Sequence, residues 1–323
     1  MKLRIDRRAL LAGLTASSFA APARAAWPER PINIVHGFAA GGNADVVARI
    51  VADALGRTTG YSFIVEAKPG AGGTIAATAV ARATSDGHTL AILPGGHAVS
   101  AAMFKQLPYR SVEDFTWISL VTDFPFVLAT NAEHRIKSFA DLLEVGRKSP
   151  EPLLWASAGN GTGQHLSGEL LASMGKLSMR HVPYRGGSQS TLDLLAGRID
   201  LMMDTPTVLL EHIKDGKLRA LAVTGAQRFY ALPATPTIAE AGVAGYETSS
   251  WLGLAGPADL PADIASKLNA GIATILADPA IVEKLRNIGS IARPTSGTVF
   301  RDRVASDIAK WTKVVEDAKI ERI

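Results

Sequence analysis

The stretch from residue 32 to residue 55, INIVHGFAAGGNADVVARIVADAL, joins a short apolar run to a helical pattern through a glycine-rich turn. The apolar residues of its second half stand at positions i, i+3, i+4, i+7 and i+8, as one buried face of a helix requires: Val47, Ile50, Val51, Ala54 and Leu55. A short strand, a glycine turn and an amphipathic helix in this order predict an α/β fold.

The same alternation continues along the chain. Apolar runs bounded by Gly and Pro predict further strands at 63–65, 90–93, 153–157, 199–203 and 218–223, and helical patterns lie between them. A chain of about 300 residues exceeds the size at which one core usually keeps growing, so we expect two lobes. We assign residues 27–123 and 235–323 to lobe one and residues 124–234 to lobe two. The reason is that a new series of strands and helices starts near Phe126 and the chain returns after Pro233.

The first 25 residues have the composition of an export signal. Four basic residues lie among the first eight positions, an apolar run spans Leu10 to Ala21, and Ala23 to Ala25 offers small residues for cleavage. The run is shorter than the roughly 20 apolar residues that cross a bilayer. The adjacent Arg7 and Arg8 fit a twin-arginine signal as well as a general one, so the export route stays open. We expect a periplasmic protein that is cleaved near Ala25.

Charge and motif content exclude several functions. Five of the 34 Lys and Arg and one of the 30 Asp and Glu lie in residues 1–25, so 29 of each remain afterwards. A net charge of zero without a basic cluster gives no reason to expect nucleic acid as a partner. The sequence has no cysteine, no G-x-S-x-G elbow and no phosphate-binding P-loop. We therefore predict a protein that is not an enzyme and holds no metal or cofactor.

Glycine is concentrated at four places where a predicted strand ends and a helix begins: 37–42, 70–73, 159–163 and 186–187. In an open α/β sheet these turns lie at the carboxyl ends of the strands, where ligands bind. Each following helix directs free N–H groups and its positive dipole end towards that edge. The four turns predict an anion site that needs no Lys or Arg, although tight turns and helix packing would explain any single turn equally well.

Five motifs follow one another along the chain: HGFAAGGNAD at 36–45, PGAGG at 69–73, ASAGNGTGQH at 156–165, VPYRGG at 182–187 and LRALAV at 218–223. Together they resemble the receptor family of tripartite tricarboxylate transporters, also called Bug proteins, and the resemblance covers residues 27–323. It implies a periplasmic binding protein of two α/β lobes, similar to type II, with the ligand cleft between the lobes. It also implies a monomer that delivers a small carboxylate to membrane transporter subunits.

The resemblance further implies that backbone amides, hydroxyls and bridging waters hold the ligand carboxylates. Carried over by position, the implied ligand-binding residues are Phe38, Ala39, Gly41, Asn43, Asp45, Gly72, Gly73 and Thr74 in lobe one, and Ser157, Ala158, Asn160, Thr162, His165, Tyr184, Gly186 and Asp204 in lobe two. His97 joins them because it lies in a presumed cleft loop. Ala39 and Ala40 stand where the family usually has two prolines, so the identity of the ligand is open: aliphatic or aromatic, with one carboxylate or two.

Two of these acids have competing explanations. The helix dipole and Arg49 favour an acid at Asp45 whether or not it meets a ligand. Asp204 would repel an anion unless it accepts a hydrogen bond from a water or from a hydroxyl or amine of the ligand.

Two other functions remain open on the sequence alone. A sensor subunit that presents a carboxylate to a membrane histidine kinase would use the same cleft. A hydrolase would use His165 with Ser157 or Thr162 as its nucleophile.

Overall fold

The computed structural model of the protein describes residues 27–323, so the signal-peptide prediction lies outside the described residues. The chain begins with β1 (Ile32–His36), α1 (Asn43–Thr59), β2 (Phe63–Ala67), a short 3₁₀ turn (Ala71–Gly73), α2 (Thr74–Ala81), β3 (Thr89–Pro94), α3 (Gly96–Met103) and β4 (Phe115–Phe124). The helix predicted after the first glycine turn is confirmed as α1, and its Val47, Val51 and Leu55 are buried in the core.

A second series of strands and helices follows β4. It contains β5 (Val127–Asn131), α4 (Phe139–Lys148), β6 (Leu153–Ser157), α5 (Gly163–Gly175), β7 (Met179–Pro183), α6 (Gly187–Leu195), β8 (Leu201–Asp204), α7 (Pro206–Lys214) and β9 (Leu218–Val223). The chain then returns through β10 (Ser250–Pro257), α8 (Ala262–Ala277), α9 (Pro279–Asn287), β11 (Ile291–Ala292) and α10 (Gly297–Asp317).

The strands form two separate sheets, one for each lobe. The first has the order β11-β4-β10-β3-β1-β2 and the second the order β7-β6-β8-β5-β9. Strands joined through a helix run parallel, as in β1 with β2 and β3, and β6 with β7 and β8. The strands that enter a sheet from the other lobe, β5 and β10, run antiparallel to their neighbours. They start at the edge where the parallel strands end. The chain passes between the lobes twice, from β4 to β5 and from β9 to β10, so both of these crossings lie beside that edge.

The segment before β10 packs on the second sheet. Val223 N–H donates to Pro236 O at 2.9 Å, Ile238 N–H donates to Val223 O at 2.9 Å, and Thr248 N–H donates to Thr224 O at 2.9 Å. These hydrogen bonds extend the edge of the sheet beyond β9. Residues 236–248 therefore accompany lobe two, whereas the sequence assignment put everything after residue 234 in lobe one.

Among residues 27–323, no helix combines the length and the apolar composition that crossing a bilayer requires.

Candidate ligand-binding site

A cavity lies between the lobes, at the carboxyl ends of the parallel strands of both sheets. It has a volume of about 510 Å³, including its opening to solvent. The lining residues come from both lobes and from both crossings: Phe38, Ala39, Gly42, Asn43, Ala44, Pro94, Gly96, Phe124, Phe126, Ala158, Gly163, Gln164, Gly186, Gly187, Asp204, Thr205, Val208, Ser250 and Leu252.

Five helices begin at this cavity. The starts of α1 and α3 reach it from lobe one, and the starts of α5, α6 and α7 reach it from lobe two. Each helix start offers main-chain N–H groups without an intrahelical partner and the positive end of a dipole. No Lys or Arg occurs among the lining residues, so within the described chain the attraction for an anion comes from backbone groups.

One part of the wall is polar and buried. The Asp204 Oδ1 accepts hydrogen bonds from Thr205 N–H at 2.6 Å and from Gln164 Nε2 at 3.2 Å. Its Oδ2 has no hydrogen-bond partner in the part of the chain that the structure describes, although the residue is only 2% exposed. Burial raises the pKa of Asp204 to about 6, against the effect of these hydrogen bonds. The buried Thr205 hydroxyl lies close enough to this carboxyl to lower its pKa, although it forms no hydrogen bond of standard geometry within residues 27–323.

Asn43 brings a second buried polar group from the opposite lobe. Its Oδ1 accepts a hydrogen bond from Thr207 Oγ1 at 2.7 Å, which joins the start of α1 to the start of α7. Its Nδ2 has no hydrogen-bond partner from Trp27 to the last described residue. Asn43 therefore offers the cavity a donor, whereas Asp204 offers it an acceptor.

The rest of the wall is apolar. Phe124 and Phe126 follow each other at the first crossing, with their rings edge to face and their centroids 6.1 Å apart. Leu252 comes from the returning strand β10, and Phe38 comes from the first glycine turn. These side chains suit a ligand whose body is hydrocarbon and whose polar groups are few.

The lobes also touch outside the cavity. Ser100 Oγ donates to Gly161 O at 3.1 Å. A Cβ at Gly72 would lie 2.5 Å from Asn160 O, so only glycine allows this approach between the lobes.

The structure brings six of the residues implied by the resemblance to the cavity wall: Phe38, Ala39, Asn43, Ala158, Gly186 and Asp204. A neighbouring cavity of about 780 Å³ shares Phe38 and Ala158 with the first and is also lined by Gly72, Asn160 and Tyr184. Gly41 lines a third hollow, beside Ser188.

The structure does not place Asp45 on the cavity. Its Oδ1 lies 3.1 Å from His36 Nε2 and accepts from Arg49 Nε at 3.0 Å, while its Oδ2 accepts from Gly41 N–H at 3.0 Å. Asp45 thus fixes the first glycine turn from behind. Thr74 and Gly73 play a comparable part in the second turn: Thr74 Oγ1 donates to Ala71 O, and Gly73 packs against Gly37.

Three polar residues of the turn at 157–165 also bond within lobe two rather than facing the cavity. Ser157 Oγ lies 2.7 Å from His181 Nε2, and Thr162 Oγ1 caps α5 by accepting from His165 N–H at 3.2 Å. The His165 ring stacks on His181, with their centroids 4.2 Å apart. Burial lowers the pKa of His165 to about 4. Because neither Ser157 nor Thr162 lines the cavity, neither is placed to attack a substrate there.

His97 lies in the core of lobe one. Its helix starts at the cavity, but its ring stacks on Tyr109 and meets Phe115 and Trp117 edge to face. Its Nε2 is 2.8 Å from Ser111 O, and burial lowers its pKa to about 4. A neutral imidazole in an aromatic cluster packs as a core residue.

Several wall residues were absent from the sequence prediction. Phe124 and Phe126, and also Ser250 and Leu252, lie at the two crossings, which form the floor of the cleft. The sequence contains a signal for the first crossing, because a new series of strands and helices starts near Phe126. Among residues 27–323, no group of three His, Asp or Glu side chains is placed to hold a metal ion.

Comparison with known proteins agrees with this architecture. The family model of the tripartite tricarboxylate transporter family receptor matches residues 47–320, and the chain belongs to this family. R. palustris Rpa4515, solved with adipate, is 34% identical with a TM-score of 0.89, covering 92% of this chain and 100% of that one. The periplasmic binding protein BugD is 32% identical with a TM-score of 0.87, covering 91% and 99%.

A third solved structure, MatC from Rhodopseudomonas palustris with bound malate, is 32% identical with a TM-score of 0.85, and the match covers 90% of this chain and 100% of that one. The chain therefore has the two-lobed α/β fold of periplasmic binding proteins. Its family role is that of a solute-binding receptor.

Proposed function

We propose that this protein captures a small organic carboxylate in the periplasm and delivers it to membrane transporter subunits, without chemical turnover. The observation that carries the proposal is the meeting of five helix starts around an interlobe cavity whose described walls contain no Lys or Arg. Such a site neutralises a carboxylate by main-chain N–H groups and helix dipoles. The adipate and malate in the related structures support this choice of ligand class.

Binding by both lobes explains how capture would work. Lobe one contributes the starts of α1 and α3, and lobe two those of α5, α6 and α7, so a ligand completes contacts only when the lobes close. The hinge lies at the two crossings, beside Phe124 and Ser250. We expect a monomer whose mature chain begins near Ala26.

Titration calorimetry and thermal shift on refolded, ligand-free protein test this function. The panel holds mono- and dicarboxylates of increasing length, each beside its neutral methyl ester. At least one acid should raise the melting temperature, and its ester should bind at least about tenfold more weakly because helix starts favour charge. The function is wrong if no acid gives heat or a shift. Co-purification with a histidine kinase instead of a membrane carrier would assign the captured acid to sensing.

A further inference from the structure

The Asp204 carboxylate is the unexplained group of this cavity. It lies at the end of β8 and contacts the starts of three helices: Gln164 of α5 and Thr205 before α7 donate to Oδ1, and Gly187 of α6 lies against Oδ2. Oδ2 lies beside Gly187, which also packs against Val208, and all three residues line the cavity; Oδ2 has no hydrogen-bond partner among residues 27–323. A buried carboxylate oxygen without a donor is costly, so this position is completed by something that enters the cavity.

An unprotonated carboxylate of a ligand is the wrong partner for Oδ2. Two like charges at hydrogen-bond distance repel strongly away from bulk water, and within the described chain no Lys or Arg lines the cavity to offset the repulsion. The group that meets Oδ2 must therefore donate a hydrogen bond, as a water or a hydroxyl, amine or amide of the ligand does.

In lobe one, the side chain of Asn43 offers a donor that needs an acceptor. The Asn43 Oδ1 is occupied by Thr207 Oγ1, which leaves Nδ2 as an unpaired donor on the wall. The cavity thus presents a donor from lobe one and an acceptor from lobe two. A ligand with only acceptor oxygens satisfies Asn43 and leaves Asp204 to a trapped water, whereas a ligand that also carries N–H or O–H satisfies both directly.

We propose that Asp204 determines specificity by selecting carboxylates that carry a hydroxyl or amino group on a hydrocarbon or aromatic body. Plain dicarboxylates are disfavoured because their second carboxylate would meet Asp204. Phe38, Phe124, Phe126 and Leu252 contact the ligand body. This inference rests on the proposed function and names the ligand class of the same site.

Matched pairs of acids test the role of Asp204 by calorimetry at pH 7.5. The pairs are benzoate with its 3-hydroxy and 3-amino derivatives, and butyrate with 3-hydroxybutyrate; succinate and adipate represent plain dicarboxylates. In the unaltered protein the best donor-bearing acid should bind at least about tenfold tighter than its plain partner, because leaving a buried acceptor unpaired is costly.

Asp204→Asn is the decisive variant. Thr205 N–H and Gln164 Nε2 hold an oxygen at the Oδ1 position, so the Asn amide places its NH₂ where Oδ2 was. The cavity then presents a donor in place of the acceptor. The preference for donor-bearing acids should disappear, and a plain acid or dicarboxylate should bind more tightly than in the unaltered protein. Asp215→Asn, which removes an exposed carboxylate paired with Lys217, is the matched control for loss of charge.

The outcomes distinguish a failure of the role given to Asp204 from a failure of the proposed function. Binding of carboxylates without preference for a donor, or a preference that survives in Asp204→Asn, overturns the role of Asp204 and leaves the proposed function intact. Absence of binding by every acid overturns both. Melting curves of each variant show that the compared proteins are folded.

Discussion

Gly187 lies directly against Asp204: a Cβ at residue 187 would be 2.7 Å from Asp204 Oδ2 and 2.8 Å from Val208 Cγ1. The glycine at the start of α6 therefore makes room for the carboxylate. The main chain of α6 can approach the cavity only because residue 187 has no side chain.

Gly187→Val should consequently weaken ligand binding by more than about tenfold, because the added side chain displaces Asp204 and fills part of the cavity. Calorimetry with whichever acid binds the unaltered protein measures the loss. Ser188→Ala is the control, since Ser188 lies in the same helical turn but is exposed and outside the cavity wall. An unchanged Kd in folded Gly187→Val would contradict the position given to this glycine.

Asp204 should also make the ligand-free protein less stable at neutral pH. The pKa of Asp204 is about 6 in the folded protein and 3.8 ordinarily, so the folded state binds more protons than the unfolded state between these values. Stability attributable to this group therefore falls as the pH rises through that window. Each pKa unit corresponds to about 1.4 kcal/mol, so the loss at pH 7.5 is at most about 3 kcal/mol.

Asp204→Asn, which cannot ionise, should accordingly raise the melting temperature at pH 7.5, and the gain should shrink towards zero below about pH 4. Thermal unfolding monitored by circular dichroism from about pH 3.5 to about pH 8, a range that contains both pKa values, measures this dependence. Asp215→Asn should change little at any pH, because the Asp215–Lys217 pair is exposed. A gain of equal size at all pH values would rule out ionisation of Asp204 as its cause.

Asp45 should affect both stability and binding without touching the ligand. Its carboxylate holds Gly41 N–H, His36 and Arg49, and the residue is only 4% exposed. Asp45→Asn keeps the shape but removes the charge from these bonds, and we expect a loss of about 2 kcal/mol in the free energy of unfolding. Urea denaturation measures the loss, and calorimetry should show weaker binding because the first glycine turn is less firmly held.

The chain offers a close control for this variant. Asp53 forms an ion pair with Arg57 on the same helix, with the same i,i+4 spacing, but both side chains are more than half exposed. Asp53→Asn should cost less than about 1 kcal/mol, as exposed pairs do. Equal losses in the two variants would mean that Asp45 contributes no more than a surface ion pair.

The glycine turns were the part of the site that the sequence predicted best. A glycine between a strand and a helix marks the carboxyl edge of a sheet, and three of the four predicted turns, 37–42, 159–163 and 186–187, contribute to the cavity wall. Asn43 was implied by the family resemblance. The direction of individual side chains could not be predicted in the same way. His97 follows Gly96, which lines the cavity, yet its ring points into the aromatic cluster of lobe one.

The floor of the cleft was harder to predict because it depends on contacts between distant parts of the chain. Phe126 and Ser250 are neighbours of the cavity only because both crossings lie under it. The pairing of Ser157 with His181 likewise joins two adjacent strands, β6 and β7, whose register no local pattern specifies. The position of the second crossing was missed because residues 236–248 form hydrogen bonds along β9 without making a regular strand of their own.

In the cavity wall, backbone groups at the helix starts bind the anion, and side chains elsewhere set the shape of the cavity. This separation has an evolutionary consequence. Substitutions at positions such as Phe38, Val208 or Leu252 alter the size and shape available to a ligand while every peptide N–H stays in place. Affinity for negative charge is thereby uncoupled from the choice of which acid fits. Proteins with this fold can therefore change their ligand specificity through a few substitutions, and every intermediate still binds anions.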